Sequence, residues 1–196
     1  TGFREELSSY LFSALIGFCL IAGYRLLGAG WLIMKTEGPL QYKAVQWAKG
    51  NLWLTAAGVL AISAATPWVS SRIFDKWFSF PNVLMLLPIP AMTLVLFGVI
   101  ARSLARLPVR FAQNNQYGAS VPFACTVGIF LLSFYGLAYS IFPWLVIDRI
   151  TIWQAASAPK SLLFIFYGVV VVFPLIIGYT VYAYRVFWGK ATPLSY

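Results

Sequence analysis

Residues 161–184 read SLLFIFYGVVVVFPLIIGYTVYAY, a stretch without a charged side chain. A helix needs about 20 predominantly apolar residues to cross a hydrocarbon core about 30 Å thick, and this stretch is long enough. A strand of a membrane barrel would alternate apolar and polar residues over segments of about ten. Residues 162–165 and 169–175 are apolar on every face, so helix is the reading that fits.

The same pattern recurs toward the N-terminus. The sequence predicts an all-α, polytopic transmembrane bundle in one domain over residues 1–196, with five spans at about 7–34, 51–71, 82–103, 119–143 and 161–186. Composition requires something of this kind. The chain is 61% hydrophobic and 10% charged, against roughly 25% charged residues in a soluble domain.

The net charge of +9 does not point to nucleic acid, because the basic residues stand singly or in small groups beside apolar runs and form no dense basic face. Lipid headgroups account for them better. Lys35, Lys43, Lys49, Arg102, Arg106, Arg110, Arg185 and Lys190 fall on one side of the predicted membrane. Arg4, Arg72, Lys76, Arg149 and Lys160 fall on the other, eight against five. Cytoplasmic loops carry the excess of Lys and Arg, which predicts an outside N-terminus and a cytoplasmic C-terminus.

Between the first two spans, Gly38 and Pro39 mark a helix stop and start. After them Leu40, Ala44, Trp47 and Ala48 share one helical face, consistent with a short helix at the membrane surface or with an elbow feeding the second span. Ala57, Ala61 and Ala65, and Ser13 with Gly17, have the spacing that lets helix backbones approach. On the opposite side, Thr151 and Gln154 have capping-box spacing, which predicts a short helical turn over residues 153–157. Trp68, Trp77, Trp144, Trp153 and Trp188 lie near span ends, as interfacial aromatics do. Pro88, Pro90 and Pro174 are positions at which helices could break, the pattern of a transporter with a midplane site.

The residues that carry chemistry are few. There is no histidine, so haem ligation would fall to Met34, Met85, Met92, Cys19, Cys125 or a tyrosine, none of which forms a recognisable cofactor motif. Glu5, Glu6, Glu37, Asp75 and Asp148, the five acidic residues, all lie outside the apolar runs and offer no buried proton relay. No Gly-rich phosphate loop or His-based triad is present. The two cysteines read as packing residues. The expectation is therefore no catalytic, cofactor or metal ligand in this chain.

Arg25 is the charge that interrupts a span. If Lys35 marks the boundary, Arg25 lies about 15 Å deep and needs an anionic group on another polypeptide. If the core begins at Leu7, Arg25 reaches the headgroups instead. Lys35 and Glu37 at the following turn, and Trp153 on the opposite side, are the other candidates for partner contact or interfacial anchoring.

Residues 23–38, GYRLLGAGWLIMKTEG, resemble the segment where subunit II of the cytochrome bd quinol oxidases ends a helix at a Lys-Thr-Glu-Gly turn. Residues 150–157, then Pro159, the Ser-Leu-Leu-Phe start at 161–164, and the Gly-Tyr-Thr helix ending in Val-Phe-Trp-Gly-Lys are similar again. The resemblance covers essentially the whole chain and corresponds to the last five of the family's eight helices. On that expectation three helices precede Thr1, either on a separate or longer chain or lost by truncation.

The resemblance implies a non-haem subunit of a terminal oxidase in the bacterial cytoplasmic (inner) membrane. Its partner would be a haem-bearing subunit I with b-type and d-type haems that oxidises quinol and reduces oxygen to water. Bound quinone, lipid and a small accessory subunit are further implied partners. A membrane-transport domain and a structural subunit of another respiratory complex are the alternatives.

Overall fold

The computed structural model describes residues 2–69, 71–146 and 149–191, with side chains described from residue 10 onward except at 67–72, 76 and 85. The element order is α1 (Gly2–Lys35), α2 (Pro39–Val69), α3 (Ser71–Phe78), α4 (Asn82–Leu86), α5 (Pro88–Ala112), α6 (Val121–Ile141), β1 (Trp144–Val146), β2 (Ile150–Thr151) and α7 (Pro159–Val186). The chain divides into two compact units, residues 1–140 with 191–196, and residues 141–190. Four helical segments among the described residues are long and apolar enough to cross a membrane: Tyr10–Lys35, Asn82–Ala112, Val121–Ile141 and Pro159–Val186. The second predicted span runs along α2, and its end at residues 70–71 lies outside the residues whose side chains are described.

In the first unit, α1 stops where the Lys-Thr-Glu-Gly turn predicted. Thr36 donates from both its amide and its hydroxyl to the Leu32 carbonyl, at 2.9 and 2.7 Å. Gly38 then takes φ +68°, a backbone conformation that costs glycine nothing and a branched residue a great deal. Pro39 opens α2, which continues unbroken to Val69.

That continuity is what the elbow reading expects of the stretch feeding the second span. The buried face of α2 is rotated from the expected one. Leu40 and Trp47 are exposed, while Gln41, Ala44, Val45, Ala48 and Leu52 are buried. The physical reason is that this stretch packs against other helices. Its neighbours in one apolar cluster are Leu26, Ala29 and Ile33 of α1 and Ile100, Leu104, Leu107 and Phe111 of α5.

The contacts fix helix directions. Tyr24 meets Phe130 at 5.5 Å between ring centroids and Trp31 meets Phe123 at 5.2 Å, so α1 and α6 run antiparallel. Gly23 and Gly30 make this approach possible. A Cβ at Gly23 would lie 2.9 Å from the Phe130 ring, and one at Gly30 would lie 3.0 Å from the Phe123 Cα. On α2 it is Gly58, where a Cβ would lie 2.6 Å from the Cys19 sulfur, that admits α1. Ala57 and Ser13 are exposed, and no described atom lies within 4 Å of a Cβ at Gly17. Of the other small residues expected there, Ala61 and Ala65 are half-buried, while the closest approach falls at Gly58, which the four-residue spacing did not include.

Proline interrupts less than its position suggested. Pro88 starts α5, and the junction with α4 at Leu87 stays hydrogen-bonded, Leu87 N–H to the Val83 carbonyl at 3.0 Å and Ala91 N–H to the Leu87 carbonyl at 3.2 Å. Pro174 lies within α7 and Pro108 within α5 without ending either helix. At the other end of the unit, the Trp77 indole N–H donates to the Ser140 hydroxyl at 3.0 Å, and that hydroxyl donates to the Gly136 carbonyl at 2.7 Å. Trp77 therefore fastens α3 to α6 as well as sitting where an interfacial aromatic would.

The second unit holds a feature the periodicity did not announce: β1 and β2 pair antiparallel, Trp144 opposite Thr151. The expected capping box is present immediately after. Thr151 N–H donates to Gln154 Oε1 at 2.9 Å, and Gln154 N–H donates to Thr151 Oγ1 at 3.3 Å. It closes a single turn, with Ala155 N–H on the Thr151 carbonyl at 3.0 Å. Along α7 no residue is buried, and large side chains such as Phe164, Leu175 and Tyr179 are exposed on all sides. A helix apolar all round belongs in lipid or against another apolar surface.

Candidate functional site

The four residues singled out from sequence are not gathered into one pocket. Arg25 is exposed on α1, between the buried Ala22 and Leu26, and among the described residues no carboxylate pairs with it. Lys35 ends the same helix about 15 Å further on. It is half-buried, its ammonium lies 5.2 Å from the Trp31 ring centroid, and its carbonyl accepts from Ala191 N–H at 2.8 Å. Glu37 is exposed in the turn that follows. Trp153, in the second unit, is 65% exposed and packs edge-on against Phe142 at 5.8 Å.

Two features of the turn-bearing end of the first unit were not singled out. Gln41 is buried, and its amide donates at 2.9 Å both to the Ile33 carbonyl and to Gln116 Oε1. The last carbonyls of a helix have no partner within it. Gln41 satisfies one of those of α1 while tying α1 and α2 to the 113–120 turn. The signal available was a glutamine just inside a helix that follows a Gly-Pro turn.

The second feature is a pocket of about 560 Å³ beside the C-terminal half of α5, lined by Arg102, Arg106, Arg110, Gln116, Tyr117 and Ser120, among others. Arg110 donates to the Tyr117 carbonyl at 3.0 Å and its guanidinium lies 5.6 Å from the Tyr117 ring. The three arginines follow each other at four-residue spacing, which was visible in the sequence. The wall opposite them depends on the 113–120 turn, which was not.

Among the described residues no three His, Cys, Asp or Glu side chains form a group that could hold a metal ion. Cys19 abuts Gly58, and Cys125 packs against the apolar cluster. Met92 is exposed, and Met85 lies outside the described side chains.

Comparison with known families decides what this bundle is part of. The family described as cytochrome bd terminal oxidase subunit II matches residues 3–187. The chain belongs to that family. As a cytochrome bd subunit II it is a multi-pass membrane protein and one subunit of a quinol oxidase, an oxidoreductase complex that also contains a subunit I. No individual curated protein matches the chain. The match runs through α1, α2 and the segment of Trp153, so Arg25, Lys35, Glu37 and Trp153 all lie inside the family region.

Proposed function

We propose that this chain is the non-haem scaffold of a quinol-oxidising, oxygen-reducing terminal oxidase in a bacterial cytoplasmic membrane, and that it holds a haem-bearing subunit I by its exposed helix faces. The observation that carries the proposal is the family match over residues 3–187. Two features of the chain support the division of labour. It has no histidine, the residue that most commonly holds haem iron, so b-type and d-type haems belong to the partner. The apolar side chains of α7 are exposed on every face, which is the surface a lipid or a partner helix covers.

Five crossings fit the packing better than four. The C-terminal halves of α1 and α5 share one apolar cluster, so these helices run in the same direction. Two parallel spans in sequence need a return between them, and α2, at 31 residues, is long enough to provide it. The turn after α1 and the C-terminal end of α5 then share one side of the membrane. With the charge excess of Lys35, Lys43, Lys49, Arg102, Arg106 and Arg110 on that side, it is the cytoplasmic one.

In this arrangement Arg25 faces an anionic group on another polypeptide, since an exposed guanidinium in a lipid-facing span is costly without one. Lys35 and Glu37 anchor the cytoplasmic turn, and Trp153 touches the partner on the outer side. Quinone and an accessory subunit are accommodated against the same exposed faces. Transport is the weaker reading because the helices it would need broken remain hydrogen-bonded through Leu87 and continuous through Pro174.

Co-purification from membranes in mild detergent tests the proposal, with single-cysteine labelling of residues 37 and 153 from either side. The expected result is recovery with a larger haem protein, quinol oxidase activity in the pair, and labelling of the two positions from opposite sides. A chain that purifies alone and moves a solute in liposomes would overturn it.

A further inference from the structure

We propose that the pocket beside α5 binds the phosphate of an anionic phospholipid headgroup. Counting about 20 residues from Asn82 brings the helix to the membrane boundary near Arg102. The pocket therefore begins where hydrocarbon gives way to headgroups. Its lining is graded in the sense a lipid requires. Val99 lies toward the membrane, Arg102, Ser103 and Arg106 follow, and Arg110, Gln116 and Tyr117 lie beyond.

The charge is unbalanced inside the pocket. None of its lining residues is acidic, and no ion pair involves Arg102 or Arg106 among the described residues. Like charges four residues apart on a helix repel each other, so the arrangement gains from an anion placed between them. A guanidinium offers paired N–H donors matched to phosphate oxygens, and Ser103, Ser120 and Gln116 supply further polar groups around the same volume. Arg110 is already oriented by its bond to the Tyr117 carbonyl and its contact with the Tyr117 ring. Gly118, at φ +86° and with the Arg110 guanidinium 3.0 Å from where a Cβ would be, lets the turn close over that side chain. Basic pockets between transmembrane helices at a membrane surface are the kind of site that takes anionic headgroups. The inference requires only that the chain spans a membrane, and it stands or falls separately from the identity of the haem-bearing partner.

The test is native mass spectrometry of the assembled complex released from nanodiscs of phosphatidylglycerol mixed with phosphatidylcholine. Each guanidinium lining the pocket contributes roughly fivefold to holding the headgroup, so the Arg102→Gln/Arg106→Gln variant should retain phosphatidylglycerol about 25-fold less well than wild type. The Lys43→Gln/Lys49→Gln variant, with the same loss of charge elsewhere, should retain it as wild type does. Equal retention in all three, or equal loss in both variants, would overturn the site. Inorganic phosphate alone raising the melting temperature as much as lipid does would overturn the lipid assignment in favour of a free anion. If the arginine variant fails to assemble, photoactivatable phosphatidylglycerol on the wild-type complex should label the peptide 99–121, and photoactivatable phosphatidylcholine should not. Equal labelling by the two lipids would refute selectivity.

Discussion

Replacing Gly30 by alanine probes the α1–α6 contact more sharply than any other single change. The new methyl would lie 3.0 Å from the Phe123 Cα and 3.1 Å from its backbone nitrogen. Backbone cannot rotate aside as a side chain can, so the two helices must separate by a few tenths of an ångström. Overpacking of this kind costs about 1–3 kcal/mol, whereas the Gly-to-Ala change favours any helix interior by up to about 1 kcal/mol. The propensity term is removed by comparison with Gly17→Ala and Gly98→Ala, where no described atom lies within 4 Å of the added Cβ. Relative to those two, Gly30→Ala should be less stable by about 1–3 kcal/mol. Gly23→Ala should fall between them, because its Cβ meets the far edge of the Phe130 ring, which can swing away. The assay is equilibrium denaturation of the purified complex in mixed micelles, followed by tryptophan fluorescence. Gly30→Ala as stable as the two references would refute the close approach and the antiparallel pairing built on it.

Other expectations follow from the polar contacts. Gln41→Leu removes the side-chain hydrogen bonds to the Ile33 carbonyl and to Gln116 Oε1 and should cost about 1–3 kcal/mol, seen as faster hydrogen exchange at residues 36–42 and 113–119. Trp77→Phe keeps the ring but removes the donor to Ser140. It should cost about 1 kcal/mol, read by the same denaturation assay, with Ser140→Ala non-additive. Thr151→Ala breaks one half of the capping box. It should weaken that turn by about 1 kcal/mol, detectable as earlier proteolysis near residues 150–157 with little change in global stability. Arg25→Gln should reduce the yield of assembled complex while leaving the helical content of the chain unchanged, measured by size-exclusion profile and circular dichroism.

Much of the fold was legible because a bilayer constrains length and polarity so strongly. The uncharged stretches at 161–184 and 119–143 correspond to α7 and α6 within a few residues, and the Gly38-Pro39 turn and the Thr151–Gln154 cap were legible because each relies on local chemistry alone. What failed depends on neighbours. Hydropathy puts a glutamine outside, yet Gln41 is buried since an unsatisfied helix-end carbonyl lies within its reach. Small residues at four-residue spacing pointed to Ala57, Ala61 and Ala65 and left out Gly58, where the close contact occurs. The β1–β2 pairing is too short for any period to reveal. Arg102, Arg106 and Arg110 were read only as an orientation signal, because the wall that makes them a pocket comes from a turn further along the chain.

The central claim is that this chain contributes helices and no haem to a shared redox enzyme. A reduced-minus-oxidised visible spectrum, recorded on the chain alone and on the chain with its co-purified partner, tests it most directly. The account predicts b-type and d-type bands from the pair and a flat trace from the chain alone; stoichiometric haem bands from the isolated chain would contradict it.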